Sequence, residues 1–520
     1  MAATEAGGPE PSGEDDRESS EHRSAMEALE AAAEGVVGSV ALSPAGPVPA
    51  LGAELLLPDG ASEGSVGADT VRAGIVQAGP LAIAGVFANG INVIVTILVA
   101  RALTTRGYGL LNQLTGIFLI ISMPGSAIIV AIVRRVTMWT TAGDAHRVRD
   151  WARRLHTQGT LVTAAFFVVM VILGQWIAAL LNQPNEVGVV AIVGAGAVWI
   201  LLSLDRGLLQ AHRDYRTLAI NLVVEGTART VGILGFVALG TGASGIAVGV
   251  LLAEVVTAVQ ARVAADRAWD HERLDGTSST PVRRVGTGLL HPLTSLRTWL
   301  RHLRRDDHMV APRALKVEMA TDLFIALSTL AMLALLQNVD VIVLGRDNAG
   351  MSGSYAAVSV ASKAIVYGAV VLGSYLLPEA AIRWREGGHA LRQTAVALLL
   401  LGVPATILLV ISEFFPSFLL RMVFSPRYLG AEAAFAPLVA AMVCLSFTVI
   451  LTMYLLAIGW RWISLVLVVG ALATTMAVIG AHGSPVGTAR NDLLVQASLL
   501  LVVVVAFGLL HRRPRAPITP

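Results

Sequence analysis

The sequence predicts an all-α membrane protein of about twelve transmembrane helices, arranged as two parallel six-helix halves. Three observations predict it. Of 520 residues, 55% are hydrophobic and only 14% charged, and the mean hydropathy of +0.69 lies outside the range of soluble globular chains. Long apolar runs recur, and each is near the roughly 20 residues that a helix needs to cross a bilayer core. A two-part signature also occurs twice, about half the chain apart. It reads Asn92, an apolar run closed by Arg101, a turn, then Gly107-Tyr108-Gly109; and again Asn338, Asp340, an apolar run closed by Arg346, a turn, then Gly353-Ser354-Tyr355. Duplicated membrane halves commonly place a substrate between them.

The predicted spans start near Ala78, Leu110, Gly159, Val187, Leu218, Gly242, Ala320, Ser352, Leu391, Ala431, Ile463 and Asn491. Continuous apolar runs, in place of alternating segments of about ten residues, exclude a β-barrel. These spans divide the chain into an acidic tail over 1–74, a first lobe over 75–262, a basic linker over 263–319, a second lobe over 320–511 and a short basic end over 512–520. Pro124, Pro378, Pro404 and Pro437 lie in or beside spans and are positioned to kink them.

Arginine sets the expected orientation. One side collects Arg134, Arg135, Arg147, Arg149, Arg153, Arg154, Arg206, Arg213 and Arg216, followed by the stretch from Arg262 to Lys316 and by Arg383, Arg385, Arg392, Arg461 and the C-terminal arginines. The other side holds only Arg101, Arg106, Arg346, Arg421, Arg427 and Arg490. The positive-inside rule puts the rich side, with both termini, in the cytoplasm of a plasma-membrane protein.

The acidic tail lacks the basic-then-apolar pattern of a secretory signal and the apolar content to offset its ordering entropy. In the linker, Leu289, Leu293, Leu296, Leu300 and Leu303 form one helical stripe opposite Arg297, Arg301, Arg304 and Arg305. Such a helix suits the inner leaflet surface or the protein's own cytoplasmic face.

Catalysis finds no foothold. Cys444 is the one cysteine, so neither an intrachain disulfide nor a cysteine metal site can form. No phosphate-binding G-x-x-x-x-G-K-[ST] loop, no histidine–carboxylate cluster at metal-ligand spacing and no large external loop is present. The expectation is a non-enzyme with no cofactor, no metal and no nucleic-acid partner.

Four stretches resemble the polysaccharide flippases of the multidrug/oligosaccharidyl-lipid/polysaccharide (MOP) exporter superfamily. They are ILVARALTTRGYGLLNQL with MPGSAIIVAIVRR; RGLLQAHRDYRTLAINLVVEGTART; NVDVIVLGRDNAGMSGSYAAVSVASK; and FLLRMVFSPRYLGAEAAFAPL. The acidic tail and the long basic linker depart from that family's core. The resemblance implies two lobes around a cavity open alternately to each side. It also implies a polyprenyl-pyrophosphate-linked oligosaccharide or polysaccharide intermediate as cargo, moved from inner to outer leaflet, with glycosyltransferases or a polymerase as neighbours. Related branches export cationic drugs.

Ionisable groups within spans carry an insertion cost of about 2.5–3.5 kcal/mol each and call for a role. Arg229 and Lys363 are the candidate contacts for an anionic cargo, because cations at such depth need either an acid or an anionic ligand. Glu225 lies one turn from Arg229 and can pair with it. Glu225, Glu254 and Asp340 are the candidate coupling-ion carboxylates, with Asp340 also a partner for Lys363 or Arg229. Asn92 and Asn338 offer amides to sugar hydroxyls or to the opposite lobe. Arg101 and Arg346, at matching ends of the repeat, are placed to receive a pyrophosphate or to snorkel to the interface. Three functions follow: a lipid-linked glycan flippase, a cation-coupled drug exporter with a net acidic cavity, and a scaffold that recruits cytoplasmic glycosyltransferases.

Overall fold

A computed structural model describes residues 84, 87–88, 90–92, 94–141, 145–212, 214–275, 313–385 and 391–512. The acidic tail, the Leu/Arg stripe of the linker and the C-terminal basic end lie outside the described residues.

The described residues fold into helices. These are α1 (Gly90–Ala102), α2 (Thr105–Ser122), α3 (Gly125–Thr141), α4 (Ala145–Leu180), α5 (Glu186–Ala211), α6 (Tyr215–Ala238) and α7 (Gly242–Asp275) in the first half. The second half has α8 (Arg313–Asp347), α9 (Ser352–Arg385), α10 (Leu391–Phe414), the short α11 (Pro416–Val423), a 3-10 stretch (Pro426–Ala434), α12 (Phe435–Ala457), α13 (Ile463–Ile479) and α14 (Pro485–Arg512). Ten are long and apolar enough to cross a membrane, with α2 and α3 forming one span, and two shorter apolar helices complete twelve.

Five helices, α2, α4, α6, α8 and α14, begin three or more residues before their apolar runs, whereas α7, α9, α10 and α13 begin where the runs do. α4 starts at Ala145 where the apolar run starts near Gly159, and α14 at Pro485 instead of Asn491. Backbone hydrogen bonding continues past the hydrocarbon edge, so a helix keeps polar first turns that hydropathy alone assigns to loops.

Local chemistry sets the turns. Thr104 caps α2 by accepting from the Gly107 amide at 3.1 Å, satisfying one of the free donors at a helix start. Asn182 follows α4 in the left-handed region at φ 54°, where asparagine is the usual alternative to glycine. Pro404 sits inside α10. Met123 and Pro124 separate α2 from α3, at one of the kinks expected from proline.

In the first lobe α5, α6 and α7 pack closely, with α4 against α5. In the second, α12 lies between α9 and α14, and α8 packs on α13. The halves meet chiefly where α2 and α3 touch α8 and where α2 touches α9. The lipid side of α4 is bare: only 11% of the apolar stretch within Trp151–Leu180 is buried, and Val162, Ile172 and Trp176 point outward. Inside a bilayer such exposure is the low-energy state, and packing must instead come from close contacts and polar bonds between helices.

Candidate functional site

Two buried polar clusters and one cleft contain the ionisable groups expected to matter, apart from Arg101 and Arg346. The first cluster lies within the first lobe, across α5, α6 and α7. Arg206 donates from Nε to Asn221 Oδ1 at 2.7 Å and from Nη2 to Glu225 Oε2 at 2.6 Å. Arg229, one turn after Glu225, donates Nη2 to Glu225 Oε1 at 2.8 Å and also to Glu254 Oε1. Asn221 bridges to α7 through the Thr257 carbonyl and Gln260. The Arg229 guanidinium also stands 5.5 Å from the centre of the Phe118 ring. All four charged side chains are buried, and the two cations face two carboxylates, so the cluster is internally neutral. Further along, Arg262 bridges Asp205 at 3.3 Å and Asp266 at 2.7 Å, and His156 Nδ1 lies 3.4 Å from Asp205 Oδ2.

The Glu225–Arg229 pair is therefore formed, and Glu254 joins it from α7. Arg206 is a correction. It falls among the solvent-side arginines when the sequence is read by span edges, whereas α5 runs on to Ala211 and holds it 4% exposed among the acids. The reason is again the helix extending beyond its apolar run.

The second cluster belongs to the second lobe. Lys363 on α9 lies 3.4 Å from Asp340 Oδ1 on α8 and donates to Asn338 Oδ1 at 3.4 Å. Asp340 Oδ2 accepts from Tyr355 at 3.1 Å and Ser359 at 3.2 Å. Asn338 donates to the Ala334 carbonyl. Asp492 on α14, fully buried, lies within electrostatic reach of Asp340 and Lys363. Gln496 donates to Asp492 Oδ1 at 3.2 Å, while Asp492 Oδ2 and Gln496 Oε1 have no hydrogen-bond partner among the described residues. One cation thus faces two carboxyl groups. Asp492 escaped the sequence reading because the last span was placed to start at Asn491, leaving it at a loop edge; a helix starting at Pro485 would have exposed it.

Between the lobes runs a narrow cleft. Thr96, Tyr108, Asn112 and Thr115 line it from α1 and α2, and Asn338, Ser359, Lys363 and Tyr367 from α8 and α9. Lys363 is the only charged group lining it among the described residues, with Asp340 behind it. The structure brings Lys363, Asn338 and Asp340 together here. Asn92 is buried one turn before Thr96, its carbonyl accepting from the Thr96 hydroxyl at 2.8 Å. Arg229, Glu225 and Glu254 lie within the first lobe and do not line the cleft.

Arg101 and Arg346 both sit at the arginine-poor end, at the matching ends of α1 and α8. Arg101 is exposed and Arg346 lies 3.7 Å from Asp347 with its side chain about half exposed.

No protein-family model and no curated protein matches the sequence. Solved structures do match its fold. A multidrug resistance MATE family transporter of the MOP superfamily, in an inward-facing conformation, superposes with a TM-score of 0.55 at 14% identity, covering 84% of this chain and 96% of that one. A MOP superfamily transporter from Pyrococcus furiosus, described by the reverse polarity of its binding pocket, gives 0.53 at 14% identity over the same shares. A mutant MATE transporter from Vibrio cholerae gives 0.52 at 12% identity, again covering 84% and 96%. The chain thus has the twelve-helix, two-lobe fold of MOP superfamily transporters.

Proposed function

We propose that the chain is a flippase that moves a polyprenyl-pyrophosphate-linked oligosaccharide or polysaccharide intermediate from the inner to the outer leaflet by alternating access between its lobes. The observation that carries this reading is the polarity of the cleft: one lysine, several hydroxyl and amide groups, and no lining carboxylate among the described residues. Lys363 would meet the pyrophosphate as a point charge. Asn338, Asn112, Thr96, Ser359 and Tyr367 would face glycan hydroxyls. The lipid tail would stay in the bilayer, where the apolar outer faces already stand.

In this reading Asp340 holds Lys363 when the cleft is empty and is a coupling-ion candidate when cargo occupies the lysine. Glu225, Glu254 and Arg229 support the first lobe. Arg101 and Arg346 would meet the carrier at the exit. Both termini are placed in the cytoplasm of the plasma membrane, where the acidic tail can meet glycosyltransferases.

A second reading, cation-coupled drug export, draws support from a fold shared with multidrug MATE transporters and from the acid surplus at Asp340 and Asp492. Gene deletion separates the two. A flippase leaves lipid-linked sugar accumulated in the inner leaflet with surface glycan lost. An exporter leaves lipid-linked sugar unchanged and raises sensitivity to cationic drugs.

A further inference from the structure

The duplicated signature that opens each half does more than mark a repeat: its two copies meet. Gly109 on α2 lies so close to α9 that an added Cβ would stand 2.6 Å from the Gly353 amide nitrogen, and a Cβ on Gly353 would overlap the Thr105 carbonyl. Backbones approach this closely only where both positions lack a side chain. The contact lies at the start of α2 and of α9, on the side carrying Arg101 and Arg346.

Five hydrogen bonds cross between the lobes at the same end. Gln113 Nε2 donates to the Ile342 carbonyl at 2.9 Å. Asn182 donates to the Arg346 carbonyl at 3.4 Å. Arg427 Nη2 donates to the carbonyls of Ala100 and Arg101 at 2.7 and 2.6 Å, and the Tyr428 hydroxyl donates to Ala100 at 2.5 Å. Each acceptor is a main-chain carbonyl; those of Ala100, Arg101 and Arg346 lie in the last turn of α1 or α8, where helix carbonyls lack an intrahelical donor and carry the negative end of the dipole, and Ile342 lies one turn earlier in α8. Gln183 fixes Gln113 by donating to its Oε1 at 2.6 Å. Beneath these bonds Tyr108 packs edge-on against Tyr428 at 5.3 Å and tilted against Phe424 at 6.2 Å, joining the lobes through an aromatic cluster that is almost fully buried.

We propose that these five bonds, the Gly109–Gly353 face and the Tyr108–Phe424–Tyr428 cluster form a latch that closes the cleft at the arginine-poor end, with Arg427 as its principal fastening. Opening towards that end separates α1 and α2 from α8, α9 and the 3-10 stretch, and so breaks all three together. Arg427 contributes most because a guanidinium is a charged donor gripping two carbonyls at once. The inference rests on the alternating-access reading and is independent of the cargo.

The test reads conformation, not transport. In a chain whose only native cysteine is removed (Cys444→Ala), Asn112→Cys puts a thiol on the cleft wall. A membrane-impermeant maleimide is then applied to each face of membrane vesicles. The parent chain is expected to label slowly from the arginine-poor face. Arg427→Ala should speed that labelling at least about tenfold, as expected for two lost charge-assisted bonds, and slow labelling from the arginine-rich face. Tyr428→Phe and Gly353→Ala should act in the same direction, and they carry the test if Arg427→Ala fails to fold. Rapid labelling of the parent from the arginine-poor face, unchanged rates in the variants, or rates raised equally from both faces would each overturn the latch. Failure of the cargo assignment would leave these rates untouched.

Discussion

The two buried charge clusters use the same residue types to opposite ends. In the first lobe, Arg206 and Arg229 meet Glu225 and Glu254 two against two, sealed among α5, α6 and α7. In the second, Lys363 alone faces Asp340 and Asp492, and one edge of the cluster forms the cleft wall; each cluster leaves one carboxyl oxygen, Glu254 Oε2 or Asp492 Oδ2, without a hydrogen bond among the described residues. A balanced, closed network has little to gain from a ligand and much to lose from a missing member. An unbalanced one, short of positive charge, gains whenever a cation arrives. On the proposed function, the difference gives support to the first lobe and binding to the second.

The largest effect that would break this contrast is loss of an acid from the balanced cluster. Glu254→Ala leaves the buried Arg229 short of one partner, and removal of one member from a buried pair costs about 3–5 kcal/mol. The amount of folded protein after detergent extraction should fall sharply, with any remaining protein transporting normally per molecule. If folding is unaffected but transport stops, the first lobe also has a working site.

Next in size, Lys363→Met should lower cargo transport per folded molecule at least tenfold, or about 1.4 kcal/mol of lost binding, with some loss of yield because buried Asp340 keeps only Tyr355 and Ser359 as donors among the described residues. Lys363→Arg should retain part of the transport. Flux of labelled cargo into the outer leaflet of reconstituted vesicles measures both.

Asp492→Asn sharpens the comparison from the other side. It removes the surplus acid while keeping a group that Gln496 can bond, so thermal stability should hold or rise by about 1 kcal/mol. Dependence of transport on an imposed proton or sodium gradient should weaken. A fall in stability would mean that the cluster is balanced by a group as yet unassigned.

Smallest is Arg346→Ala. Its side chain is about half exposed and, among the described residues, pairs only with Asp347, so stability should move by no more than about 0.5 kcal/mol. Transport should fall modestly if it receives the emerging carrier and not at all if it only snorkels.

The sequence reveals the helices because a bilayer demands a run of apolar residues wherever a chain crosses it, and the runs are visible one by one. It reveals the Glu225–Arg229 pair because one helical turn separates them. Lys363 with Asp340 is half visible: the residues stand out as charges in apolar surroundings, but choosing among their possible partners needs the packing of α8 on α9. Arg206 and Asp492 stay hidden because hydropathy places span edges too far inward. Arg427 is hidden for another reason. It reads as one more arginine in a short loop, and its acceptors lie 326 and 327 residues away on another helix.

Those acceptors have a consequence for variation. Main-chain oxygens at Ala100, Arg101, Ile342 and Arg346 survive almost any side-chain replacement, whereas the donors Gln113, Asn182, Arg427 and Tyr428 do not. A saturation scan would therefore register one half of each bond and miss the other. Proline at the facing positions is the one genetic probe able to reach the silent half, through the helix turns that aim those oxygens.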